Sequence, residues 1–177
     1  MRDYANDWRD FVKNIRVKPY TRENAAKALD VFSRNTSPVE ILMKEIAKQT
    51  NLSAKPKDGW LDWIKKWFYT EDKNETGGNT EPEKEFRPLF NFVGLDKPDE
   101  STNIFKYRNA VQSVSNKFSQ ANIEQISKDY AAEPPKDPLL LLPSETTVKN
   151  LVGGFDETPS GQALIDVLQK PLGNLRI

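Results

Sequence analysis

Histidine and cysteine are both absent from this chain. Their absence removes disulfides, thiolate nucleophiles, imidazole bases and nearly every transition-metal site in one step. It assigns no compartment, because oxidising and reducing environments both hold cysteine-free domains. An excess of one charge is missing too. The 26 basic and 26 acidic residues cancel, so no long-range field draws the chain toward nucleic acid or an anionic membrane surface. No apolar run is long enough to cross a bilayer. Nor do the first residues read as a signal peptide, since Arg2, Asp3, Asn6, Asp7 and Arg9 interrupt them at once. Phosphate loops are excluded as well: Gly77-Gly78 and Gly153-Gly154 lack the glycine, lysine and hydroxyl spacing those loops need. The acids Glu81, Glu83 and Glu85 lack the spacing and central glycine of an EF-hand. They are expected to lie in a solvated loop, and no metal or cofactor is expected.

What is present is a succession of amphipathic helices with explicit start and stop signals. The first spans about Asp3 to Ile15, with Tyr4, Trp8, Phe11, Val12 and Ile15 as its apolar stripe. The stripe begins with no lead-in, as expected of a domain excised from a longer chain. Pro19 follows the end of that helix. Thr21 reads as the next N-cap, ahead of Ala25, Ala28, Leu29 and Phe32. Ser37 caps a third helix, with Pro38 at its first position and Glu40 completing a capping box. Its buried face is Val39, Leu42, Met43 and Ile46.

A short helix holding Trp60, Trp63 and Trp67 is expected next, then a mobile loop at about residues 70–85, which contains no hydrophobic residue and has Gly77-Gly78 at its centre. Phe86, Leu89, Phe90 and Val93 begin the following helix, stopped by Gly94, and Pro88 must fall in its first turn. The longest helix carries Ile104, Tyr107, Val111, Val114 and Phe118. A short one holds Ile123, Ile126 and Tyr130. Pro134-Pro135 and Asp137-Pro138 mark a rigid connection into Leu139–Leu142, expected to be buried. Ser144 is the expected cap of a helix through Val148 and Leu151. Thr158-Pro159 opens the last helix, and Pro171 bends or ends it. With no period-two strand, the fold class is all-α: a single helical domain over residues 1–177, an irregular bundle of about seven or eight helices with no significant sheet.

Trp60, Trp63, Ile64 and Trp67 share one helical face. Aromatic stripes usually pack a core, but exposed tryptophans also anchor partners, so Trp60, Trp63 and Trp67 are candidate partner contacts. Lys65 and Lys66 beside them raise a weaker membrane-interface reading. Carboxylate pairs are the only enzyme mechanism that composition leaves easy, and such a mechanism needs two acids facing each other across a cleft. Most Asp and Glu residues here fall on polar helix faces, caps or loops. No catalytic residue is therefore assigned and the chain is read as a non-enzyme.

Taken together, the ordered segments resemble the TssM/IcmF family of type VI secretion systems. Tyr4-Ala5-Asn6-Asp7-Trp8 through Asn14-Ile15-Arg16-Val17-Lys18-Pro19-Tyr20 resembles that family's helix ending in Asp-Ile/Leu-Arg and then Pro-Phe, with Asn14 and Tyr20 as departures. Asn24-Ala25-Ala26-Lys27-Ala28-Leu29 resembles its Gln-Ala-Ala helix. Ser37-Pro38-Val39 through Thr50-Asn51-Leu52 resembles its Ser-Pro-Leu helix. Phe86-Arg87-Pro88-Leu89-Phe90 is similar to its Phe-x-x-Leu-His segment, with Phe90 in place of His. Thr158-Pro159-Ser160-Gly161 and Lys170-Pro171-Leu172-Gly173-Asn174-Leu175-Arg176 resemble the end of its helical region. Residues 53–85 and 131–150 match poorly.

The resemblance implies a fragment of the periplasmic helical region of a bacterial inner-membrane protein. It implies a non-catalytic scaffold role in the membrane complex. It also implies other complex components as partners: the lipoprotein TssJ, through a C-terminal β-domain that this sequence does not contain, and TssL. The alternatives are a carboxylate-dependent periplasmic hydrolase and a free-standing helical adaptor.

Overall fold

A computed structural model describes residues 2–51, 81–95, 99–134 and 136–175. Among these residues there are eight α-helices, one 3-10 turn and no strand. The helices are α1 (Arg2–Asn14), α2 (Arg22–Ser33), α3 (Pro38–Thr50) and α4 (Glu81–Val93), then α5 (Asn103–Gln120), α6 (Ile123–Tyr130), α7 (Leu141–Leu151) and α8 (Gly161–Gly173). The all-α reading holds. The tryptophan helix, including Trp60, Trp63 and Trp67, and residues 70–80 of the expected loop lie outside the described residues.

The fold is organised around α5. Ile104, Tyr107, Val111, Val114 and Phe118 are all buried, so the steps of three and four in the sequence translate directly into one covered face. That helix packs against α2 and α7, while α3 packs on α4 and α7 on α8. Phe92 of α4 joins two of these layers. Its ring lies 6.3 Å from that of Tyr107 and meets Phe155 edge-on at 5.6 Å, in the range where aromatic pairs attract.

Several helix ends form as their residues dictate. Ser37 Oγ accepts the Glu40 N–H at 3.0 Å, with Pro38 at the first helical position. Gly94 takes the left-handed conformation (φ 64°) and donates to Phe90 O, stopping α4. Thr21 sits at the N-cap of α2 in extended conformation, but its side chain makes no capping bond.

Other expectations need correction. Residues 81–85 are not loop: they form the first turns of α4, and Glu83 and Glu85 are buried. The helix therefore begins earlier than the apolar stripe suggests, and Pro88 falls in its interior instead of its first turn. A proline there cannot donate to the carbonyl four residues back. That carbonyl belongs to Lys84, an exposed residue, where water can serve it. Ser144 is not a cap either. It is buried inside α7, because the Asp137 carboxylate receives the N–H groups of Leu141 and Leu142, each at 2.8 Å. Leu140, at φ 55°, turns the chain between them. The Leu139–Leu142 run is only half covered: Leu139 and Leu141 are buried, whereas Leu140 and Leu142 are 43% and 59% exposed. On α1, Phe11 falls off the stripe at 49% exposed and Trp8 is half-buried, meeting Phe11 edge-on. Leu42 is likewise only half-buried. Pro171 does not end α8, which runs on to Gly173.

Gly161 lies hard against the backbone of Phe155. A Cβ built there would stand 1.6 Å from Phe155 O, so no other residue fits without moving the 3-10 turn (Gly153–Phe155).

Candidate functional site

Glu40, Glu83 and Glu85 are withdrawn from water, and Glu85 and Glu40 each tie remote parts of the chain together. Glu85 of α4 receives Arg9 Nε of α1 on one oxygen at 2.5 Å. Its other oxygen receives the Ser160 hydroxyl, at the start of α8, also at 2.5 Å. The Glu85 side chain is 3% exposed, so both lone-pair directions are met by protein, as a buried carboxylate requires. Ser160 is therefore spent on Glu85 and makes no cap bond to its own helix.

Glu40 of α3 is equally buried. Lys44, one turn on, donates to its Oε1 at 2.6 Å. Arg108 of α5 faces its Oε2 at 3.3 Å, close enough for ionic attraction but without hydrogen-bond alignment. The Arg108 guanidinium also lies 4.9 Å from the centre of the Phe105 ring, a cation–π distance. The expected capping box is thus half made. Ser37 accepts from Glu40, but the Ser37 N–H bonds to Arg34 O at 3.0 Å and the Glu40 carboxylate points into the α3–α5 contact.

A half-buried hydroxyl joins the segment before α2 to α8. The Tyr20 hydroxyl donates to Pro171 O, and burial pushes its ionisation well above the usual tyrosine range. Tyr107 is pushed up in the same direction, first by burial and then by the proximity of Tyr20. Its hydroxyl has no hydrogen-bond partner among the described residues. At the surface, Asp99 accepts both the N–H and the hydroxyl of Ser101. These bonds hold its carboxyl below the usual carboxylate value.

An open groove of about 360 Å³ runs between the extended segment after α1 and the outer face of α8. Ile15, Arg16 and Val17 form one wall, and Asp166, Val167 and Lys170 the other. Asp166 is its one carboxylate, and that group accepts from Gln162 Nε2 at 2.8 Å. No group of three or more potential metal ligands gathers among the described residues.

The candidate contacts Trp60, Trp63 and Trp67 lie outside the described residues, and none of the groups above was singled out as a site from sequence. Arg9 and Glu85 are 76 positions apart, Ser160 and Glu85 75. No local spacing signals such partners. The one available hint was Glu85 itself, which continues the helical stripe of Phe86, Leu89, Phe92 and Val93.

A family model described as IcmF-related (intracellular multiplication and human macrophage-killing) matches residues 1–51. The similarity covers α1, α2 and α3. No curated protein and no solved structure matches the chain. The match supports a relationship to the IcmF/TssM-related proteins over this N-terminal stretch and, loosely, a role associated with their secretion systems.

Proposed function

We propose that this chain is a non-catalytic structural module of the type VI secretion membrane complex, a periplasmic scaffold element of its inner-membrane core component. The observation that carries the reading is the IcmF-related match over residues 1–51. The way those residues are built into the bundle supports it. Arg9 reaches Glu85, Tyr20 reaches Pro171, and Glu40 pairs with Arg108. The matched segment is thereby fastened at three points to later helices, which suits a part that holds shape and transmits force. The buried carboxylates of Glu40 and Glu85 serve these fastenings, and neither lines the groove. TssJ and TssL are the proposed neighbours in the assembly, TssJ through a β-domain outside this sequence.

The test is genetic. Deleting the region from its parent protein should abolish secretion. Asp→Asn and Glu→Gln changes at exposed positions, Asp166 included, should leave secretion intact. Loss of secretion from one such change in a protein that folds and assembles normally would overturn the scaffold reading in favour of a hydrolase.

A further inference from the structure

Residues 15–20 run between α1 and α2 without helical structure. Over Arg16–Lys18 the exposure alternates: Arg16 is exposed, Val17 half-buried and Lys18 exposed. Period-two exposure is the pattern of a strand, yet no strand pairs with it among the described residues. The N–H groups of Arg16, Val17 and Lys18 donate to no acceptor among the described residues. Unpaired backbone of this kind is what an added strand uses.

The groove against α8 lies along this same segment. Its floor is apolar where Ile15, Val17 and Val167 contribute. Its charged lining is uneven, with Arg16 and Lys170 against Asp166. Asp166 accepts from the neutral Gln162 amide and keeps its charge, and the Arg16 guanidinium donates to the carbonyls of Lys13 and Ile15 and keeps its own. Lys18 adds a further exposed cation on the segment. With Lys18 counted, three cations stand against the one carboxylate of Asp166 along this segment and groove.

We infer that this groove binds an extended acidic segment of a partner protein. The segment lies alongside Arg16–Lys18 as an added strand, with alternate apolar side chains over Val17 and Val167 and its carboxylates toward Arg16 and Lys170. The backbone supplies pairing, and the two cations select acidic over basic sequence. The surface stands whether or not the secretion role holds.

The test uses the full chain and a short fluorescent peptide of alternating aspartate and valine, with a lysine–valine peptide as its counterpart. Anisotropy should show saturable binding of the acidic peptide alone, weakening as salt rises. Amide shifts should concentrate at residues 15–18 and 166–173. Lys170→Glu should weaken binding by about tenfold or more, and Arg16→Glu further. Because Arg16 also holds carbonyls at the end of α1, Lys170→Glu alone is decisive if the Arg16 variant loses helicity. Equal affinity for Lys170→Glu, shifts that map elsewhere, equal binding of the basic peptide, or no binding of the acidic one would each overturn the proposal.

Discussion

Glu85 and Glu40 are two buried carboxylates with opposite degrees of completion. Glu85 has a donor on each oxygen, and those donors come from α1 and from the start of α8. Glu40 has one aligned donor, Lys44 of its own helix, while its second oxygen faces Arg108 without a hydrogen bond. A buried ion pair stabilises only when geometry and extra hydrogen bonds offset the loss of hydration. By that measure Glu85 is a joint between three segments. Glu40 is a local pair with an imperfect long-range attachment.

The largest expected effect comes from breaking the better joint. Glu85→Ala should destabilise the fold by about 3–5 kcal/mol, because Arg9 and Ser160 lose their common partner. Chemical denaturation measures this directly. A double-mutant cycle of Arg9→Ala with Glu85→Ala should return a coupling of about 1–3 kcal/mol. Coupling near zero would show that α1 is held by other contacts.

Glu40→Ala should cost less, about 1–3 kcal/mol, in the same denaturation experiment. Lys44 is 47% exposed, so its charge returns to water at little cost, and Arg108 keeps its place over Phe105. If Glu40→Ala proved the costlier change, the ranking by hydrogen-bond completion would be wrong.

Tyr107→Phe sharpens the contrast from the other side, because it removes a buried hydroxyl that has no hydrogen-bond partner among the described residues. Stability should stay level or rise by up to about 1 kcal/mol. The same variant bears on alkaline unfolding. Burial raises the ionisation of Tyr107 in the fold, so the neutral hydroxyl is favoured there. The associated stability is fully present below the unfolded value of about 10. It is lost as pH rises through the higher folded value. Thermal melts taken as pH rises above about 10 should fall less steeply for Tyr107→Phe than for the unaltered chain.

The smallest effect is expected at Asp99. Its carboxyl is lowered by the Ser101 bonds, so its contribution is present above the unfolded value and lost as pH falls through the folded one. Asp99→Ala should flatten that acid limb slightly, and an unchanged acid limb would show that the turn before α5 forms without it.

The legible parts of this molecule were those decided by near neighbours. The α5 stripe, the Ser37 cap and the Gly94 stop each depend on residues within a turn or two. The errors share a different cause. Glu83 and Glu85 look solvated because isolated acids prefer water, and only Arg9 and Ser160 reverse that preference for Glu85. Ser144 resembles a cap, but Asp137 sits earlier in the chain and starts the helix ahead of it by taking the N–H groups of Leu141 and Leu142. Pro88 looks like a first-turn proline until the helix is extended back through those acids. Glu40 fits the capping-box pattern, which contains no information about Arg108. The groove of Ile15, Arg16, Val17, Asp166, Val167 and Lys170 joins residues from opposite ends of the sequence, and no period within either end announces it.

The Tyr20–Pro171 bond spans 151 positions. During synthesis α1 and α2 precede α8, so the carbonyl that receives Tyr20 and the hydroxyl of Ser160 that completes Glu85 emerge long after Arg9 and Tyr20. Contacts so distant in sequence close late, after the chain between them has been ordered. The earliest helices must therefore wait, with Arg9 and Tyr20 unlatched, until α8 has left the exit tunnel. A nascent chain halted before Pro171 should remain open to protease at α1, whereas the released chain should not.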